Sequence, residues 1–194
     1  MRPLFDRLFP RDPHEADARR LYERIVGRAR SPGFYQDRGV PDTVDGRFEL
    51  LMLHAFLVFD RLRVAGDEAK PLGEALFAVM VYDFDQSLRV SGVGDLGVGP
   101  RMKRMGQAFY GRLHAYRTAA EAGSAALAAA LRRNLYGTCE QVDDAILSAM
   151  AAYVLAERGR LHALPLAAFL AEPDFFAADP LGPSQAQDAR EGVT

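Results

Sequence analysis

The sequence predicts an all-α protein, built as an irregular bundle of six or seven helices. Three observations carry this. Apolar residues recur at steps of three and four through most of the chain, no stretch alternates convincingly with period two, and glycines, prolines and capping residues fall between the periodic segments.

Residues 12–30 form the first amphipathic segment, with Leu21, Ile25, Ala18 and Ala29 on one face and arginines and glutamates on the rest. Ser31-Pro32-Gly33 stops it, and residues 34–47 read as a turn-rich connector broken by Gly39, Pro41 and Gly46. Thr43 or Asp45 is placed to cap a second helix over about 45–64. That helix is apolar nearly all round, the pattern of a helix at the centre of a bundle. Asp67 offers the next N-cap, and a third helix runs to about Ser91 with Leu72, Leu76, Val79, Met80 and Phe84 as its stripe. A glycine loop ends it.

The fourth helix spans about 99–121, with Met102, Met105, Phe109, Leu113 and Tyr116 at helical spacing. Ser124 is placed to cap an alanine-rich fifth helix ending near Gly137. Residues 140–160 form the sixth, with Val142, Ile146, Met150, Tyr153 and Val154 inward, and a short last helix covers about 163–171. Beyond Pro173 the chain becomes acidic and proline-rich, which predicts one domain over 1–175 and a loose tail over 176–194.

Hydrophobic residues make up 49% of the 194 and charged residues 26%, so a folded core is expected rather than disorder. A net charge of −2 gives no global attraction to nucleic acid or acidic membrane, and any such partner must meet a local patch. The single cysteine, Cys139, excludes an internal disulfide framework and a four-cysteine zinc site. The apolar run FELLMLHAFLVF, residues 48–59, is shorter than the roughly 20 residues of a membrane span and contains Glu49 and His54. A buried core helix is therefore expected there, with no transmembrane segment and with His54 as a core histidine. The N-terminus has no continuous apolar h-region of a secretory signal.

The stretch DFDQSLRVSGVGDLGVGPRMKRM, residues 83–105, raises three chemistries. Asp83 and Asp85 diverge by about 200° on a helix and do not chelate one ion together. Asp85 has Arg89 at i,i+4, and Asp83 is left to solvent or a neighbouring helix. The glycines 92, 94, 97 and 99 lack the Lys-Ser/Thr of a Walker loop and follow a helix rather than the strand of a dinucleotide fingerprint. The basic residues carry more. Arg101, Lys103, Arg104, Arg112 and Arg117 lie between Leu96 and Ala120 with no acid among them, three of them near the expected helix start. Two readings stay open: compensation by Asp83, Asp85 and Asp95 folding back, or a docking face for anionic lipid, RNA or an acidic protein segment. The histidines have no partner at ligand spacing and no serine sits in a nucleophile elbow, so no metal, cofactor or enzymatic activity is expected.

Two stretches resemble the ubiquinol–cytochrome c chaperone family: FYQDRGVPDTVDGRFELLMLHAFLVFDRL (34–62) and ALFAVMVYDFDQSLRVSGVGDLGVGPRMKRMGQAFYGRLHAY (75–116). The shared pieces are the GVPDT-x-x-GRFELL entry, the D-x-D-x-x-LR helix end, the GVGDL turn and the AFYGR segment. The resemblance implies a non-enzymatic, all-α assembly factor that binds newly made cytochrome b of respiratory complex III, working from the cytoplasmic side at the inner membrane. It leaves open a ribosome or a small helical co-chaperone as a further partner. Family members carry a cationic residue where Pro100 or Arg101 stands, so the register of basic positions stays open. The long N-terminal extension of mitochondrial members has no counterpart, which suits a bacterial protein without an import step. The expected partner-binding residues are Asp83, Asp85, Arg89, Gly92, Gly94, Asp95, Arg101, Met102, Lys103, Arg104, Met105, Tyr110 and Arg112. The alternative is a helical RNA- or ribosome-binding adaptor using the basic face of helix 99–121.

Overall fold

The computed structural model describes residues 13–90, 95–172 and 174–176, and the side chains at 88–89 and 95–103 lie outside that description. The described residues are all-α. Helix α1 spans Glu15–Ala29 and buries Ala18, Leu21, Tyr22, Ile25 and Ala29, while Glu15 and Asp17 occupy its first turn. Acids there face the positive end of the macrodipole. Pro32 does not merely end α1. It opens a short helix, α2 (Pro32–Gln36), because proline's fixed φ suits the first helical position and its missing N–H is an orphan there anyway. This turn drives Phe34 into the core.

Helix α3 (Val44–Ala65) is capped by Thr43, whose side-chain oxygen accepts from the Gly46 N–H at 3.1 Å. The seven residues from Met52 to Val58 are buried without interruption, as a central helix requires. It packs on α1, α4 (Lys70–Val90), α5 (Asp95–Ala122) and α7 (Asp144–Ala163). Between α3 and α4, Gly66 takes φ 84° and Asp67–Ala69 make a 3₁₀ turn. Asp67 makes no side-chain cap, so the break comes from the glycine's left-handed backbone instead. The same correction applies at α6 (Ser124–Asn134). Gly123, at φ 108°, is its N-cap and Ser124 is already inside. Asp143 caps α7, its carboxylate accepting from the Ala145 N–H at 2.8 Å. The last helix is α8 (Leu166–Ala171).

Helix α1 lies against α4 on one flank, and α5, α6 and α7 pack in sequence on the other. Asp60 of α3, fully buried, ties the second flank together. It meets Arg63 at 3.0 Å, Arg117 of α5 at 3.3 Å, Arg158 of α7 at 2.8 Å and His162 of α7 at 3.0 Å. Burial alone would raise this carboxyl, but hydrogen bonds from Arg158 and Arg63 outweigh it and hold the group below its ordinary range. His54 is the satisfied core histidine that its position predicts. Its Nδ1 lies 2.9 Å from the Leu50 carbonyl and so donates, which leaves Nε2 to accept from the Tyr153 hydroxyl at 2.8 Å.

The chain packs past Pro173. Phe175 and Phe176 are buried, with ring centroids 4.6 Å from Phe169 to Phe175 and 5.3 Å from His54 to Phe176. Arg160 also donates to the Phe175 carbonyl. Phe176 thus packs on the core although the tail is expected from 176, and residues 177–194 lie outside the described residues.

Candidate partner-binding surface

Helix α5 starts at Asp95, four residues before its expected start. Gly97, Gly99 and Pro100 therefore belong to the helix rather than to a loop. Arg101, Lys103 and Arg104 consequently stand beyond its first turn. The macrodipole fades within one turn, so the electrostatic cost expected for cations at the helix end does not apply to them.

The remaining cations divide. Arg112 is held by Glu49 of α3 in a two-pronged pair, with Nε to Oε2 at 2.6 Å, and that hydrogen bond pushes the guanidinium's pKa further up. Arg117 turns to Asp60. Compensation thus exists for these two, and it comes from Glu49 and Asp60 of the central helix. Arg104 is exposed and makes no ion pair among the described residues. Met105 is half-buried against the core. Tyr110 is 59% exposed, its ring lying 5.3 Å from Phe77 of α4. Gly92 and Gly94, and the side chains of Arg89, Asp95, Arg101, Met102 and Lys103, lie outside the described residues.

Asp83 is exposed but also reaches a neighbouring helix. Its carboxylate accepts from the Tyr22 hydroxyl of α1 at 2.6 Å. Burial raises the Tyr22 hydroxyl's pKa, and the neighbouring carboxylate raises it further, so the proton stays on tyrosine. Asp85 is separate from this pair, 3.4 Å from the Gln86 amide. Among the described residues no group of histidine, cysteine, aspartate or glutamate side chains is placed to hold a metal ion.

The Tyr22–Asp83 contact forms one wall of an open cleft of about 200 Å³. Tyr22, Val26 and Ala29 come from α1 and Arg30 is its C-cap, Tyr35 comes from α2, Arg47, Phe48 and Leu51 from α3, and Asp83 from α4. The floor is apolar or aromatic. Tyr35 is fixed by its hydroxyl, which donates to the Ala29 carbonyl at 2.6 Å, and Phe48 is braced by Phe84 at 5.7 Å. Arg47 leans over the Tyr35 ring at 5.7 Å while pairing with Asp42 at 2.6 Å. Small-molecule and cofactor pockets run from about 300 Å³ upward, so this cleft is smaller than that class.

Of the expected site residues whose side chains are described, only Asp83 lines the cleft. Tyr22, Val26 and Arg30 went unnoticed because α1 was read through its Leu21–Ile25 stripe, and the cleft lies on the shoulder of that stripe. A signal existed for the others. Tyr35, Arg47, Phe48, Leu51 and Asp83 all fall within the two stretches that carry the family resemblance, and the fold brings those stretches together here.

The fold and this surface define a helical protein with a small open cleft between three of its helices. Residues 36–175 match the family described as ubiquinol–cytochrome c chaperone, and the chain belongs to that family. The crystal structure of the Cbp3 homologue from Brucella abortus is similar at 37% identity with a TM-score of 0.75, covering 90% of this chain and 97% of that one. Ubiquinol-cytochrome-c reductase complex assembly factor 1 of Xenopus laevis is 28% identical over 127 residues, 66% of this chain. The matched region spans 62% of that relative's length.

Proposed function

We propose that the protein is an assembly chaperone of ubiquinol–cytochrome c reductase that binds newly made cytochrome b. The family match over residues 36–175 carries this reading. The proposed binding surface comprises the cleft, which Asp83 lines, together with Asp85 on α4 and the exposed Arg104 and Tyr110 on α5. Cytochrome b is a membrane protein with apolar helices and charged loops, and a surface mixing exposed rings with cations suits its loops and helix ends. Among the described residues no helix is long and apolar enough to cross a membrane. The chaperone meets its client from the water side of the inner membrane.

The charge-reversed double variant Arg101→Glu/Arg104→Glu is expected to lower cytochrome b capture several-fold at unchanged helicity. Capture from detergent-solubilised membranes, beside a circular-dichroism spectrum, measures both. Equal capture by the variant would remove the basic segment from the surface.

A reading as an RNA- or ribosome-binding adaptor has fewer charges to draw on. Arg112 and Arg117 are already engaged by Glu49 and Asp60, so two of the five cations of that face are locally neutralised.

A further inference from the structure

We propose that the cleft between α1, α3 and α4 recognises one apolar side chain carried next to a carboxylate in a partner polypeptide. This deepens the chaperone reading and rests on it. Size comes first. About 200 Å³ accommodates a single phenylalanine- or leucine-sized group, and Val26, Leu51, Phe48 and the rings of Tyr22 and Tyr35 give it apolar contact.

The polar groups then set the chemistry. The Tyr22 hydroxyl is committed to Asp83 and the Tyr35 hydroxyl to the Ala29 carbonyl. Arg47 is neutralised by Asp42. Arg30 differs: its guanidinium makes no hydrogen bond or ion pair among the described residues, yet it lies close enough to pull down the pKa of both cleft tyrosines. A free cation at the rim of an apolar floor is complementary to a carboxylate next to the inserted side chain. Asp83 accepts one hydrogen bond, from Tyr22, and retains lone pairs that suit a backbone N–H of the same segment. A slot of mixed apolar and polar lining with a cation and an acceptor in it fits an extended peptide better than RNA, which would bring phosphates against Asp83.

The test uses the ¹⁵N-labelled full chain and the blocked tetrapeptide acetyl-Gly-Phe-Asp-Gly-amide. Two control peptides replace phenylalanine by alanine or aspartate by asparagine. The parent peptide is expected to give saturable shifts confined to the amides of Val26, Arg30, Tyr35 and Leu51. The asparagine peptide is expected to bind about tenfold more weakly, as loss of one charge-assisted contact predicts. The alanine peptide is expected to lose saturable binding. In Arg30→Gln, an exposed and structurally neutral change, the aspartate and asparagine peptides should bind alike. Absence of saturable shifts at the cleft, or equal binding of the two peptides by the unchanged protein, would overturn the proposal. Cytochrome b co-purification separates the two levels: peptide failure with the client still captured rejects the cleft, while loss of the client with peptide binding intact rejects the assembly reading.

Discussion

His54 is buried among Phe34, Tyr153 and Phe176, and burial pushes its imidazole down to about 3. In the unfolded chain the same group titrates near about 6.5. Below that pH the unfolded state takes up a proton that the folded state refuses, so stability is present above pH ~6.5 and falls progressively toward pH 3. One proton corresponds to about 1.4 kcal/mol per pH unit. His54→Gln should therefore flatten the pH dependence of urea stability between pH 6 and 4 by up to that slope. A variant curve parallel to the parent's would show that His54 does not carry it. Two glycines make a second residue-scale comparison. A Cβ at Gly46 would collide with the Pro41 carbonyl, whose carbon is 2.9 Å away, whereas Gly73 in α4 has open space. Gly46→Ala is expected to cost about 2 kcal/mol and Gly73→Ala to add about 0.5–1 kcal/mol, both readable by thermal melting.

Between elements, Asp60 replaces a longer interface. Four cationic or hydrogen-bonding side chains from α3, α5 and α7 converge on one carboxylate that water does not reach. Asp60→Asn should cost about 3 kcal/mol, near the lower end for a broken buried pair because the arginines stay partly hydrated, and urea titration measures it. Loss below ~0.5 kcal/mol would mean the arginines find water as readily as the carboxylate. None of this network was legible from sequence. Nothing in a one-dimensional pattern brings positions 117, 158 and 162 to Asp60 and Arg63. The helices themselves were legible, because their apolar spacing and the cap at Thr43 are local signals, although α7 begins at Asp144, behind its Asp143 cap, rather than at 140. The misplaced caps of α4 and α6 share one cause: Gly66 and Gly123 end or open helices through positive φ, and a glycine shows no side-chain signal of which role it takes. Phe175 and Phe176 were hidden differently, since proline and acidic residues around them read as tail while two aromatic side chains suffice to fold the segment back.

At the scale of the whole molecule, α3 is a hydrophobic axis around which the two flanks close, and the cleft opens where α1, α3 and α4 diverge beside it. The sequence pointed toward this region through Asp83, but it placed the weight on the basic run of α5. Cations crowd together visibly in a sequence, whereas a cleft assembled from residues 22, 30, 35, 48 and 83 exists only after folding. Arg112 illustrates the difference: in sequence it extends a basic patch, and in the structure it is clasped by Glu49. The most direct test of the assembly-chaperone account is to tag the protein in its native organism, solubilise the membranes gently, and examine the co-purified material by mass spectrometry and haem absorbance. The account predicts cytochrome b in that material. Ribosomal components without cytochrome b would contradict it.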